Sequence, residues 1–93
     1  MTITINCDAI ESMREFHEIM AREFHFPDWY GKNLDALYDC LTDITEPCTL
    51  TFTNVLPWFE RLGKDAITTV RVLQDVSQIN ANFRFFFGAD TTE

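Results

Sequence analysis

Residues Phe26 to Leu41 read FPDWYGKNLDALYDCL, a loop that runs into a helix. Pro27, Asp28, Gly31 and Asn33 are turn and loop formers, and Asn33 is a good helix N-cap, because its side-chain oxygen can take a free backbone N–H of the first turn. The helix is expected from Leu34 to about Asp43, with a break at Pro47, which can neither continue a helix nor donate to a central strand. At 100° per residue from Leu34, the residues Leu37, Cys40, Leu41 and Ile44 fall in an arc of roughly 240° to 340°, whereas Tyr38, Thr42, Asp35 and Asp39 fall between roughly 40° and 140°. The first arc is apolar and expected to pack inward; Cys40 there is expected to act as a small core residue. The second presents two carboxylates one turn apart, a ring and a hydroxyl. Asp35 and Asp39 repel each other at i, i+4, and Asp39 and Asp43 sit toward the helix C-terminus, where negative charge is disfavoured. Taken alone, a solvated acidic face would account for this. The loop before it changes the reading. Two adjacent rings rarely both enter a core, so at least one of Trp29 and Tyr30 is expected at the surface, and aromatic side chains beside a charged patch are common interface anchors. Gly31 offers either a positive φ or close backbone approach.

On either side of this segment the chain alternates strands and helices. Thr2 to Asn6, TITIN, is a short alternating strand candidate. Ser12 and Glu15 match a capping box, and Met13, Phe16, Met20 and Phe24 recur on one face of the helix that follows. On this helix His17 is expected to be exposed and His25 to mark the end. Thr49 to Asn54, TLTFTN, is a second strand candidate. Leu56 to Leu62 is expected to form a short helix, with Pro57 in its first turn and Gly63 just past its end. Asp65 is expected to cap a last helix with Ile67, Val70 and Leu73 on its buried side, and Val76 following at the same spacing. Phe83 to Phe87, FRFFF, is a continuous apolar run, read as a central strand covered on both faces. The order β, α, α, β, α, α, β implies an α/β fold, and strands separated by helices imply a parallel sheet with right-handed crossovers. No repeat or second domain is visible, so residues 1–93 are expected to form one domain.

Composition narrows the function. The 93 residues carry 15 acidic and 7 basic side chains, a formal net charge of −8, and nine Phe. That charge repels nucleic acid, which needs clustered Lys and Arg, and attracts a cationic protein. The odd count of cysteines (Cys7, Cys40 and Cys48), without a CxxC pair, matches neither a disulfide framework nor a zinc site and suits a reducing cytoplasmic setting. No signal peptide, membrane span or cofactor motif can be read. A carboxylate pair can serve as general acid and base, but here it lies on a convex helix with no argued pocket, no glycine-rich phosphate loop and no His at metal-ligand spacing, so neither an enzyme nor a metal site is expected.

The run Pro27 to Leu41, PDWYGKNLDALYDCL, resembles the P-x-Y-Y-G-x-N-L-D-A-L-W-D-C-L segment of the barstar family, intracellular inhibitors of barnase-like ribonucleases. The resemblance extends more loosely over the whole chain and implies three parallel strands packed with about four helices. It further implies a basic barnase-like ribonuclease as a one-to-one partner. In that partner's active site Asp39 would take the place of substrate phosphate, with Asp35 pairing with a neighbouring basic side chain. Trp29, Gly31, Asn33, Tyr38 and Thr42 would surround them, Asp43 and Ile44 would align with further contacts, and Asp75 would supply a distant acidic one. The sequence departs from the family pattern at Trp29 and Tyr38, where ring types are exchanged, and at Lys32, which replaces an acid. Asp75 is a shorter acid than the family's Glu, the family's second cysteine near the final strand is missing, and Cys7 and Cys48 are new. These departures leave open an immunity or regulatory protein that meets a different basic toxin or enzyme through the same surface.

Overall fold

The computed structural model describes residues 1–88. Its elements are β1 (Thr2–Asn6), a 3-10 turn (Cys7–Ala9), α1 (Met13–Phe24), α2 (Leu34–Thr42), β2 (Cys48–Thr53), α3 (Val55–Leu62), α4 (Lys64–Ile79) and β3 (Phe83–Phe87). The three strands form one parallel sheet in the order β1-β2-β3. This is the expected α/β architecture of three parallel strands and four helices.

Alternation along the strands gives the sheet two unlike faces. Ile3 and Ile5 of β1 lie beside Leu50 and Phe52 of β2, and Cys48 lies beside Phe83 of β3; all are buried. Phe16, Met20, Leu37, Leu41, Trp58, Leu73 and Val76 from the helices complete this core. Its centre is aromatic: Phe16 stacks on Trp58 with ring centroids 5.8 Å apart, and Phe52 lies 5.6 Å from Trp58. The opposite face carries Thr2, Thr4, Asn6, Arg84 and Phe86, all exposed, with Thr49 and Thr51 half-buried.

Three expectations fail here. FRFFF is not central: β2 takes the middle and β3 the edge, with Phe86 and Phe87 52% and 48% exposed. Arg84 interrupts the run and lies exposed on the open face, so only one face of the strand is covered. Ile67 is half exposed, and the buried stripe of α4 is Ala66, Thr69, Leu73 and Val76. A strict spacing of three drifts about 60° per step around a helix, so Ile67 falls off the face that Leu73 and Val76 share. Thr69 instead turns inward and satisfies its hydroxyl by donating to the Asp65 carbonyl at 2.7 Å. Finally, Asp65 does not cap α4. The helix begins at Lys64 after Gly63, whose φ of +53° favours glycine, and Asp65 lies inside the first turn.

At α1 the Ser12 hydroxyl accepts the Glu15 N–H at 3.1 Å, while the Glu15 carboxylate takes the N–H of Glu11 at 3.0 Å. The capping box is therefore shifted by one residue on its return leg. No described helix is long and apolar enough to cross a membrane.

Candidate functional site

The first turn of α2 is closed locally. The Asn33 side chain accepts the Ala36 N–H at 2.8 Å and donates back to the Gly31 carbonyl at 3.3 Å. The left-handed residue of the loop is Lys32, with φ 53°, and not Gly31. Gly31 has the other use expected of it: a Cβ there would stand 3.1 Å from the Asn33 amide nitrogen and crowd the cap. Lys32 reaches across to Glu18 of α1 at 3.7 Å, which ties the loop to that helix.

The two rings in the loop part company. Trp29 is 76% exposed, whereas Tyr30 is 6% exposed and packs against Phe26, with ring centroids 4.8 Å apart. The Tyr30 hydroxyl lies 2.6 Å from Nδ1 of His17. His17 is thus buried, contrary to expectation. Counting 100° per residue from Met13, it falls at about 40°, some 20° past Phe24 at the edge of the stripe of Phe16, Met20 and Phe24, so the wheel already placed it at the inward face. Burial lowers the His17 pKa and raises that of Tyr30, with the Cys40 thiol adding to the rise at Tyr30. His25 ends α1 in the left-handed region, as its position suggested.

Along α2, Leu37 and Leu41 are fully buried, Leu34, Cys40 and Ile44 partly so, and Asp35, Asp39 and Asp43 are exposed. Tyr38 and Thr42 are half-buried at the border between the two faces, and the Thr42 hydroxyl donates to the Asp39 carbonyl at 3.0 Å. None of the ion pairs among the described residues engages Asp35, Asp39 or Asp43. From Asn33 to Glu60 the sequence has no Lys or Arg. The field of this face is felt at Cys40, whose thiol pKa is raised first by burial and then by Asp43 and Asp39. Cys7, fully buried, is pushed up to about 12 by desolvation alone.

The far end of α2 is closed from a distance. The Asn80 amide, just past α4, donates to the carbonyls of Leu41, Thr42 and Ile44 at 3.0, 3.3 and 2.9 Å, and the Asn82 amide donates to Thr45 at 3.3 Å. Nothing in the sequence around α2 marks these residues. Two of these carbonyls, those of Thr42 and Ile44, belong to expected contact positions. Asp75 is exposed on α4, which packs against α2. Nine of the ten expected site residues therefore lie on one continuous stretch, Trp29 to Ile44, and Asp75 on its neighbour.

A family model described as Barstar (barnase inhibitor) matches residues 1–88. The chain belongs to the barstar family. A protein of Bacillus subtilis (strain 168) named "Putative ribonuclease inhibitor YrdF" is 35% identical over 77 residues, which covers 82% of this chain and 85% of that protein. Family membership places the chain among inhibitors rather than enzymes.

Proposed function

We propose that the chain inhibits a basic, barnase-like guanyl ribonuclease, one inhibitor per enzyme, by seating the outward face of α2 in the active site. The observation that carries this reading is the exposed pair Asp35 and Asp39, set on a helix capped at both ends and, among the described residues, in no ion pair. An enzyme that cleaves RNA must gather cationic groups around a phosphate. Asp39 would take the phosphate's place through charge-assisted hydrogen bonds, and Asp35 would engage an adjacent basic side chain. Trp29, with Gly31 and Asn33 below it, would pack over the rim. Tyr38, Thr42, Asp43 and Ile44 would continue the contact, and Asp75 would reach it from α4. The net charge of −8 would draw the partner in, an effect that weakens as salt shortens the reach of charge to about 8 Å at physiological ionic strength.

Titrating the chain into guanyl ribonucleases while following RNA cleavage tests this. Loss of cleavage at one equivalent is expected; full cleavage at micromolar excess would contradict it. A second reading keeps the surface and changes the target to a different basic toxin or enzyme. The 76% exposure of Trp29, at a position where the family pattern has Tyr, favours a partner shaped for the larger ring. Retention of such an enzyme from lysate, with guanyl ribonucleases passing through, would select it.

A further inference from the structure

Among the described residues β3 pairs only with β2, which leaves its outer edge unpaired; that edge is largely apolar and its residues are unused by the α2 face. Cys48 donates its N–H to the Asn82 carbonyl and Gly88 donates to Phe52, both at 2.7 Å. In a parallel ladder these bonds fix which backbone groups face β2: those of the even-numbered residues. The N–H and C=O groups of Phe85 and Phe87 and the C=O of Phe83 therefore point to the free edge, while the Phe83 N–H is taken by the Asn80 carbonyl at 3.1 Å. Phe83–Phe87 has no proline and no break in its five-residue register, and its one charged side chain is Arg84. Beside it runs an open groove lined by Ser77, Ala81 and residues 83–86. Arg84 and the half-exposed Phe86 both project from the open face of the sheet, and among the described residues Arg84 makes no ion pair.

We propose that this edge is a self-association surface, on which β3 of a second copy pairs antiparallel about a two-fold axis through Phe85. The edge complements itself in that register. Each Phe85 exchanges both backbone hydrogen bonds with its counterpart, and each Phe87 N–H meets the Phe83 carbonyl of the other copy, the one acceptor there whose own N–H is already satisfied. Arg84 then stands opposite Phe86 of the second copy, twice, as a non-hydrogen-bonded pair. In such pairs side chains approach most closely, and a guanidinium can lie on a ring. A two-fold contact of this kind closes on itself and leaves no further edge of its type exposed. A β1-to-β3 contact would instead propagate. The strand is short and each copy carries −8, so the dimer is concentration-dependent and strengthens as salt screens the repulsion, the opposite of the trend expected for the ribonuclease.

Sedimentation velocity of the full chain over a concentration series tests the proposal. The 10.9 kDa monomer is expected to give way to a species of twice the mass as concentration rises. Phe86→Lys places a cation opposite Arg84 and should move the midpoint to a roughly tenfold higher concentration. Phe86→Glu places a carboxylate there and should keep or tighten the dimer. Because Phe86 lies half exposed on the open face, both variants should keep the wild-type circular dichroism. The double variant Arg84→Cys with Phe86→Cys should become a covalent dimer on oxidation, while the wild type does not. A wild type that stays monomeric throughout, two charge variants that associate like the wild type, or a double variant that stays monomeric when oxidised would each overturn the register.

Discussion

On α2, Leu37 and Leu41 are fully buried, whereas Asp35 and Asp39, interleaved with them in sequence, stand in solvent. The two faces share a backbone and little else. Inward residues meet side chains from α4 and the sheet, and their identity answers to volume. Among the described residues the outward carboxylates of Asp35 and Asp39 make no ion pair, and packing does not dictate their identity. The helix could have spread charge of both signs over that face at no cost. It instead keeps two acids at i, i+4 and a third at its C-terminal cap, an arrangement that costs a few tenths of a kcal/mol per like-charged pair. If the proposed contact is right, folding and recognition fall on opposite sides of one nine-residue element, and each side is expected to tolerate change with little effect on the other.

The largest effect is expected from the inward face. Leu41→Ala should cost about 2–5 kcal/mol of stability through lost burial and the cavity left behind, read by denaturant unfolding. The affinity of whatever fraction remains folded should change little. The two ends of the helix give the next test. Asn80→Ala strips three carbonyls at the C-terminal turn of their donor and should cost about 1–3 kcal/mol. Asn33→Ala removes the local N-cap and should cost about 1 kcal/mol. Equal costs would mean that water replaces Asn80 freely.

A smaller effect belongs to His17 beneath the loop. Its folded pKa lies below the ordinary value because burial disfavours the charged ring. The unfolded chain therefore binds the proton first, and stability should fall as pH drops below about 6.5, continuing until the folded ring is protonated too. His17→Phe should flatten that part of the pH–stability curve, at the expense of the Tyr30 hydrogen bond. An unchanged slope would remove His17 as its source.

Much of this was readable in advance, for reasons that differ by residue. Asn33, Leu34, Leu37 and Leu41 obey a cap and a helical period, which are local rules, and α2 falls within a residue of its expected end. The outward set was legible because the same wheel separates it. Asn80 was not: its partners lie 36 to 39 residues away, and an asparagine after a helix looks the same whether it closes another helix or faces water. Tyr30 and His17 stand between these cases. The wheel placed His17 inward, but its polar type argued for exposure until a hydroxyl was found to receive it. The edge position of β3 could not be read from FRFFF, because strand order is decided by pairing between distant segments.

Asp39 is expected at the centre of the contact and Asp43 at its rim. Comparing Asp39→Ala and Asp43→Ala for binding to a barnase-like ribonuclease tests it most directly, with each variant's unfolding midpoint measured alongside. Losing one partner of a desolvated charge pair costs about 2–5 kcal/mol or more, a range to which the barnase–barstar complex itself contributes, so it is the family's own value and not an independent one. Asp39→Ala is expected to lose that much affinity with stability unchanged, and Asp43→Ala about 1 kcal/mol or less. Equal losses from the two substitutions, or a loss from Asp39→Ala matched by a loss of stability, would contradict the division of α2 into a face that folds and a face that binds.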